Sequence, residues 1–405
     1  MHCTTYDIWY KYMEKLIFHI DVNSAYLSWS AVEKLKNGST TDLREIPAII
    51  GGDIKSRHGI VLAKSIPAKA YGIITGEPVT HALNKCPSLV TEPPNHKLYS
   101  QYSRRLMELL MTFCADIEQV SVDECYMDFT EKQGNYPSPV AAATRIKDTV
   151  YDTFGFTVNV GISRNKLLAK MASDFQKPNK VHTLFPEEIP QKMWPLPVGE
   201  LYMVGHSAAA TLRKLGIETI GDLAHTDVNI LTSHLKSHGK LIWEYANGID
   251  DSPVHTEESD LKCIGNSTTL PRDAVTAGEA KEVLRSLSSQ VAGRLKKSGQ
   301  LAGMVSTELK YASFARVSHQ RQLSPASCDA KALYDTACQL FDELWNGEPI
   351  RLLGVRTSKL TMEAEPVQMS LFDLPKTQKE IRAEHAMEEL KKKLGDGVVK
   401  KGFYS

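Results

Sequence analysis

Mostly apolar short segments alternate with amphipathic ones along the first half of the chain. Three short segments rich in β-branched residues predict buried strands, at 16–20, 117–122 and 156–162. Three longer segments repeat apolar residues every three or four positions and predict helices, at 99–114, 140–154 and 166–175. Ser163 is the predicted cap of the last of these helices.

Two further features of the pattern predict how the strands pair. Segments 46–52 and 59–65 predict a strand pair joined by a charged loop, and 117–129 predicts a hairpin. A helix is expected to begin near Ser24. Strands that alternate with helices around a central hairpin predict an α+β sheet with helices on one face.

The second half of the chain divides into a helical part and an alternating part. Residues 187–255 are rich in small residues and predict helices, and the polar segment 256–260 predicts a linker. The last large section predicts strands at 304–311 and 351–360 and helices at 277–297 and 330–345. A polar tail follows, with a lysine-rich helix predicted at 379–394.

Composition limits the class of protein. At 405 residues the chain is long enough for about two to four domains. No apolar run approaches the ~20 residues of a membrane span, and the N-terminus lacks the features of a signal peptide. Seven cysteines without a C-x-x-C pair argue against a zinc site and a disulfide framework. We therefore expect a cytoplasmic protein.

The formal net charge is zero, which is mild evidence against nucleic-acid binding. Charge can nevertheless be segregated between faces or domains. One late stretch gathers basic residues: Arg294, Lys296, Lys297, Lys310, Arg316 and Arg321.

Carboxylates stand at the ends of two predicted strands. Asp21 follows the run 16–20, and Asp123 with Glu124 lies at or beside the turn of the hairpin. A buried unpaired carboxylate is costly, so three acids in such places need a shared partner, and a divalent metal ion is the economical one. Taken singly, each motif has a plainer alternative, because Asp-Glu often forms a turn and Asp-Val-Asn often caps a helix.

Three strings together resemble one family. They are 21–26 (DVNSAY), 121–124 (SVDE) and 161–178 (GISRNKLLAKMASDFQKP), and they are similar to the Y-family DNA polymerases of the DinB and UmuC kind. The resemblance runs from about residue 16 to residue 372. It implies an α+β multidomain right-hand polymerase with these parts: palm, 14–23 and 92–186; fingers, 24–91; helix-hairpin-helix thumb, 187–258; α/β little finger, 262–363; tail, 364–405.

The resemblance implies a metal site made of Asp21, Asp123 and Glu124, with the backbone carbonyl of Val22. Two Mg²⁺ ions would be bound there, with Mn²⁺ as a substitute in vitro, and they would support in-line phosphoryl transfer. Asn23 stands where many relatives have a second Asp; that position is not one of the three principal ligands.

The resemblance also implies a nucleotide site. Tyr26 matches the family's steric gate, which excludes a ribose 2′-hydroxyl, and Lys177 matches a lysine that reaches the phosphates. Lys69 stands where DinB-like members have an arginine, and Ile66 replaces a tyrosine that contacts phosphate. Leu62 falls where the fingers cover the nascent base pair. Core packing of Tyr26 and a solvated Lys69 remain the plainer alternatives.

DNA contacts are implied in two later segments. Segment 201–207 resembles the thumb's hairpin, in which Gly205 and Ser207 would offer backbone N–H groups to a phosphate. Met203 replaces a usual glycine there, and without the family context the segment predicts only a helical packing module. Arg294 and Lys297 would track the DNA backbone in the little finger, although a solvated helix face is the plainer alternative.

The tail contains a segment, 368–372 (QMSLF), that resembles the bacterial sliding-clamp motif. Gln368, Leu371 and Phe372 would enter a hydrophobic pocket of the clamp's beta subunit. The expected partners are therefore primer–template DNA, deoxynucleoside triphosphates and the clamp, with no membrane, and the chain is expected to be a monomer.

The function implied is template-directed DNA synthesis that is inaccurate and tolerates damaged bases. Two alternatives remain at this point: a catalytically silent DNA-binding or scaffold protein, and another enzyme with a palm-like sheet, such as a nucleotide cyclase. The choice between DinB-like and UmuC-like behaviour also stays open.

Overall fold

The computed structural model describes residues 14–53, 57, 59–257 and 261–362. These residues form two compact units that divide near residue 260, except that residues 269–271 group with the first unit. Within the described ranges no helix is both long and apolar enough to cross a membrane. The predicted helix at 379–394 lies outside them.

The regular elements are numbered in chain order. The strands are β1 (Ile17–Val22), β2 (Ala48–Gly51), β3 (Val61–Lys64), β4 (Val90–Glu92), β5 (Ile117–Gln119), β6 (Glu124–Asp128), β7 (Val158–Ser163), β8 (Val181–Thr183), β9 (Cys263–Ala274), β10 (Gln300–Tyr311), β11 (Arg316–Ser327) and β12 (Ile350–Met362). The helices are α1 (Ala25–Lys36), α2 (Ile66–Ala70), α3 (Val79–Lys85), α4 (His96–Met111), α5 (Pro139–Phe154), α6 (Lys166–Asp174), α7 (Ile189–Lys192), α8 (His206–Lys214), α9 (Ile220–His225), α10 (Val228–Leu235), α11 (Ser237–Ala246), α12 (Ala277–Lys297) and α13 (Ala330–Leu344).

The first unit is built on a five-stranded sheet with the order β5-β6-β1-β7-β8. β1 lies in the middle and pairs antiparallel with both β6 and β7. Its register places Asp21 opposite Glu124 on one side and opposite Asn159 on the other. The predicted hairpin is present, since β5 and β6 are antiparallel neighbours.

Both faces of this sheet are covered, so the expectation of helices on one face is wrong. Phe18 and Ile20 belong to a core shared with α1, α4 and α5. Ile17 instead packs against Ala169 of α6 on the opposite face. Successive strand residues point to opposite faces, and β1 is buried at five of its six positions, as expected for a strand in a sheet covered on both faces.

The first unit also contains a small sheet and a group of helices. The small sheet has the order β3-β2-β4, with β2 and β3 antiparallel as predicted. Its core is closed by α2 and α3 through Ala68, Val79 and Ala82. Helices α7 to α11 pack around a separate apolar core, to which α6 contributes Leu168 and Met171.

The helix α6 is capped by a different residue from the one predicted. The side chain of Asn165 accepts a hydrogen bond of 2.9 Å from the backbone N–H of Leu168. Ser163 is fully buried at the end of β7, where its hydroxyl donates to the Leu184 carbonyl. The prediction failed because the strand extends one residue further than its apolar run.

The second unit has the chain order β-α-β-β-α-β. Its sheet has the order β11-β10-β12-β9, and α12 and α13 both pack against it. Both predicted helices and both predicted strands are present, whereas β9 and β11 were not predicted. β11 is an edge strand with mostly exposed side chains, so it lacks the apolar alternation that reveals a strand.

Candidate active site

The three predicted acids lie at one end of the central sheet. Asp21 is the fifth residue of β1, Asp123 lies in the turn before β6, and Glu124 begins β6. The Ser121 hydroxyl closes this turn, because it donates to the Asp123 carboxylate at 2.6 Å and accepts from the Glu124 N–H at 3.2 Å. The Val22 N–H donates to the Asp123 carbonyl at 3.0 Å, which joins the turn to β1.

A cleft of about 640 Å³ opens beside these acids. It collects seven of the eight residues that the sequence assigns to metal or nucleotide: Asp21, Val22, Tyr26, Leu62, Lys69, Asp123 and Lys177. Glu124 does not line it. The substituted position Ile66 does line it, and 60% of its surface is exposed.

Asp21 is paired with a lysine of the same cleft. The Lys177 ammonium contacts the Asp21 carboxylate and lies 2.9 Å from Asp174. Burial opposes the charge of Lys177, but the two carboxylates outweigh it and raise the pKa of this lysine. Lys177 is therefore held as a cation next to Asp21.

Glu124 faces away from the cleft, towards two basic side chains. Its carboxylate lies 2.8 Å from the Lys170 ammonium and 3.4 Å from Nε2 of the buried His19. The contact with His19 and the ion pair with Lys170 lower the pKa of Glu124 to about 2. Neither His19 nor Lys170 was singled out from the sequence, although Lys170 lies within the family motif at 161–178.

Asp123 has the opposite electrostatic environment. Burial raises the pKa of its carboxyl, and the nearby charges of Asp21 and Glu124 raise it further against the opposing Ser121 contact. No lysine or arginine forms an ion pair with Asp123 in the part of the chain that the structure covers. Its negative charge is therefore the least compensated of the three.

The donor set suits a hard divalent cation. Among the described residues, no three His, Cys, Asp or Glu side chains form a ready-made metal-binding group. Asp21 and Asp123 nevertheless present carboxylate oxygens to one cleft, together with Val22. Mg²⁺ is bound in proteins by one or two carboxylates plus substrate phosphates, so these residues fit that ion.

Tyr26 borders the cleft and is held by an aromatic neighbour. Its ring stacks on Tyr99 with centroids 4.3 Å apart and 8° between the planes. Tyr99 is 1% exposed, and its hydroxyl lies 3.0 Å from that of Ser30. Tyr26 thus packs on the core through one ring face and also lines the cleft, so its two predicted environments coexist.

A third lysine in the cleft, Lys64, was missed by the sequence analysis. Lys64 lines it with Lys69, and neither forms an ion pair among the described residues. Burial and the charge of Lys69 lower the pKa of Lys64. The signal was present in the sequence, because Lys64 follows Leu62 by two positions and strand residues two apart share a face.

The residues predicted to contact DNA in the hairpin are exposed. Gly205 is the N-cap of α8 and Ser207 is the second residue of that helix. Met203 adopts a left-handed backbone conformation with φ of 71°, which glycine adopts at lower cost. The His238 ring lies 3.1 Å from the Met203 carbonyl.

The basic residues of the second unit are exposed but partly engaged. Arg294 and Lys297 lie in the last turn of α12, where cations complement the helix dipole. Arg294 also donates to the Gly265 carbonyl at 2.9 Å. Arg316 and Arg321 form ion pairs with glutamates. The clamp-motif residues Gln368, Leu371 and Phe372 lie outside the described residues.

Comparison with a solved structure identifies the fold. A solved structure of a Y-family DNA polymerase chimera of Dbh and Dpo4 matches with a TM-score of 0.74, covering 86% of this chain and 99% of that one at 22% identity. The chain therefore has the right-hand fold of the Y family, and the predicted fold class is confirmed.

Sequence comparison gives the family. Models described as the impB/mucB/samB family, its C-terminal domain and the IMS family HHH motif match residues 20–174, 261–371 and 186–217. DNA polymerase IV of Clostridium acetobutylicum is 47% identical over 96% of this chain and 97% of the relative. DNA polymerase IV 1 of Bacillus subtilis is 35% identical over 96% and 92%. The chain belongs to the impB/mucB/samB family, and its resemblance to DinB-like Y-family polymerases is confirmed.

Proposed function

We propose that this chain extends a DNA primer on a template by two-metal phosphoryl transfer at the cleft beside Asp21 and Asp123. The chain is a DNA-directed DNA polymerase of the Y family, whose work is translesion synthesis. One observation carries the mechanism: a single cleft joins two carboxylates with three lysines, Lys64, Lys69 and Lys177. Carboxylates bind metal ions and lysines bind phosphates, so this cleft has complementary groups for both the metal ions and the triphosphate of a metal–nucleotide complex.

The family depends on divalent metal ions, and we assign two Mg²⁺ ions to Asp21, Asp123, Glu124 and the Val22 carbonyl, with Mn²⁺ as a substitute in vitro. Mg²⁺ when bound would lower the pKa of the primer 3′-hydroxyl and neutralise charge on the triphosphate. The protein's own residues position the reactants and supply charge, which is the main part of catalysis in phosphoryl transfer. The low pKa of Glu124 keeps that carboxylate ionised at neutral pH.

Tyr26 is the proposed steric gate, and its substitution gives a test. Tyr26→Ala is expected to lower the preference for deoxynucleotides over ribonucleotides at least about tenfold, because the ring no longer blocks a 2′-hydroxyl. The measurement is kcat/KM for dCTP and CTP opposite the same template base. Tyr26→Phe should keep the preference, and so should Tyr151→Ala, which removes an exposed tyrosine of α5. An unchanged preference in Tyr26→Ala would remove the gate assignment.

Lys64 is proposed to bind the triphosphate with Lys69. Lys64→Ala is expected to raise the KM for deoxynucleotides about tenfold, the equivalent of one charge-assisted hydrogen bond, with a smaller change in kcat. Steady-state kinetics with a single deoxynucleotide measures both constants. Lys97→Ala removes an exposed lysine of α4 outside the cleft and should leave KM unchanged. A KM equal to that of the parent would mean that Lys64 faces solvent during turnover.

The remaining assignments extend the proposal along the chain. We assign the palm to 14–23 and 92–186, the fingers to 24–91, the thumb to 187–258, the little finger to 262–363 and the clamp-binding tail to 364–405. Primer–template DNA would contact Gly205 and Ser207 in the thumb and Arg294 and Lys297 in the little finger. Gln368, Leu371 and Phe372 would bind the sliding clamp. The chain would act as a monomer in the cytoplasm, and the six cysteines of the described ranges, all free thiols, agree with a reducing compartment.

Primer extension tests the function directly. The full chain is incubated with primer–template DNA and deoxynucleotides, with Mg²⁺ and then with excess EDTA, on intact templates and on templates with one damaged base. We expect extension that needs the metal and continues past the damage. Binding of DNA without extension would favour a silent DNA-binding protein, and conversion of a free triphosphate to a cyclic product would favour a cyclase.

A further inference from the structure

Two buried asparagines form a pair behind the cleft. Asn23 is 8% exposed and Asn159 is fully buried, and they lie on the adjacent strands β1 and β7 or directly after them. The Asn23 side-chain N–H donates to the Asn159 side-chain oxygen at 3.1 Å. Buried amides persist only when their polar atoms are paired, so their partners indicate what the pair supports.

The partners converge on the loop that carries Lys177. The Asn23 oxygen accepts from the Asn179 N–H at 2.9 Å, and the Asn159 oxygen accepts from the Lys180 N–H at 3.2 Å. The Asn159 amide nitrogen donates to the Gln176 carbonyl at 2.7 Å. Three backbone groups on both sides of Lys177 are therefore tied to the strand pair that carries Asp21.

The side-chain donors and acceptors of Asn159 are fully allocated. The Asn159 side chain donates both of its N–H groups to backbone carbonyls, one to that of Ser173 at 3.0 Å and one to that of Gln176. Its oxygen must therefore face Asn23, and residue 23 must supply a donor there. The Asn23 oxygen is also engaged, since it accepts from the Thr157 hydroxyl at 2.9 Å.

An ionised aspartate cannot replace Asn23 in this arrangement. Its second carboxylate oxygen would face the Asn159 oxygen without a proton between them, in a buried site. Rotation of the Asn159 amide would not solve this, because its oxygen would then face two carbonyls. The asparagine at position 23 is thus matched to the asparagine at position 159.

We propose that Asn23 and Asn159 are positioning residues that hold residues 176–180 so that Lys177 is placed for the phosphates of the incoming deoxynucleotide. The inference rests on the proposed function for the identity of the ligand. The effect on the loop itself does not depend on catalysis and can be measured separately.

Hydrogen exchange tests the structural half. In Asn23→Asp, the backbone amides of Asn179 and Lys180 are expected to exchange at least about tenfold faster than in the parent chain. Amides in the middle of β1 should keep their exchange rates. If a lower melting temperature shows that the added charge destabilises the whole chain, Asn23→Ala, which adds no charge, is measured in its place. Unchanged protection at Asn179 and Lys180 would overturn the proposal.

A double-mutant cycle with Lys177→Ala tests the functional half. Asn23→Asp is expected to raise the KM for deoxynucleotides about tenfold with a smaller effect on kcat. In the Lys177→Ala background the same substitution should change KM less than about twofold, because the side chain that it positions is gone. Equal effects in both backgrounds would show that Asn23 acts elsewhere and would overturn the proposal.

The control and the separate readouts keep the two hypotheses apart. Asn135→Asp makes the same chemical change at an exposed position and should alter neither protection nor KM. If Asn23→Asp loses exchange protection at Asn179 and Lys180 but the parent chain never extends primers, the proposed function is refuted and the positioning role is kept. Unaltered protection in an active polymerase would refute the positioning role alone.

Discussion

Primer extension by an Asp123→Asn/Glu124→Gln variant is expected to fall at least about a thousandfold below that of the parent chain, a loss of several kcal/mol of transition-state stabilisation. Asp123 lines the cleft and Glu124 begins the strand beside it. Amides of the same shape keep one oxygen in each side chain but remove the two charges that would balance metal ions. Single-nucleotide incorporation under saturating deoxynucleotide and Mg²⁺ measures the effect.

The stability of the single variants supplies an independent check that both still fold. The pKa of Asp123 is raised by burial, so its charge destabilises the folded chain at pH 7, and Asp123→Asn should raise the melting temperature. The pKa of Glu124 is lowered from 4.5 to about 2 by His19 and Lys170, so its charge stabilises the folded chain fully above pH 4.5, and this stabilisation is lost as the pH falls towards 2. Glu124→Gln should therefore lower the melting temperature, and the double variant should lie between them.

A matched control removes two carboxylates at and just beyond the other end of β6. Asp128→Asn/Glu131→Gln changes the net charge equally, but Asp128 pairs with Ile17 at the end of β1 away from the cleft, and Glu131 is exposed. This control should extend primers like the parent. Activity retained by the Asp123→Asn/Glu124→Gln variant would mean that the metal site is elsewhere.

The buried elements of the first unit were predictable because burial leaves a pattern in the sequence. β1, β7 and α5 each repeat apolar residues at the period of their own element, and the structure places each within a few residues of the prediction. β11 left no such signal, because its side chains are mostly exposed. The strand is stabilised by backbone pairing with β10. Edge strands of this kind depend on tertiary contacts.

The carboxylates of the site were predictable for a related reason, whereas their partners were not. Asp21 and Asp123 stand out because acids are rare at the ends of apolar strands. The Asn23–Asn159 pair joins residues that are 136 positions apart, and asparagine alone gives no sign of its partner. The orientation of Glu124 towards Lys170 likewise depends on how α6 packs on the sheet.

That packing depends on Gly161, which lies opposite His19 on the central sheet. A Cβ atom at position 161 would lie 2.0 Å from the Ala169 carbonyl oxygen and 2.4 Å from the Ser173 nitrogen, both backbone atoms of α6. Backbone atoms cannot rotate away as a flexible side chain can. Strand β7 and helix α6 approach this closely only because residue 161 has no side chain.

Gly161→Ala is therefore expected to lower the free energy of unfolding by at least about 3 kcal/mol, a large effect for a single methyl group. Helix α6 would have to move off the sheet, and this would break the contact of 2.8 Å between Ser173 and His19 and the bond from Asn159 to the Ser173 carbonyl. Equilibrium denaturation monitored by circular dichroism measures the loss. Gly134→Ala is the control, since a Cβ there meets no atom within 4 Å and the variant should unfold like the parent. If Gly161→Ala matched the parent, β7 and α6 would be further apart than described, and the glycine of the family motif would need a reason other than close packing.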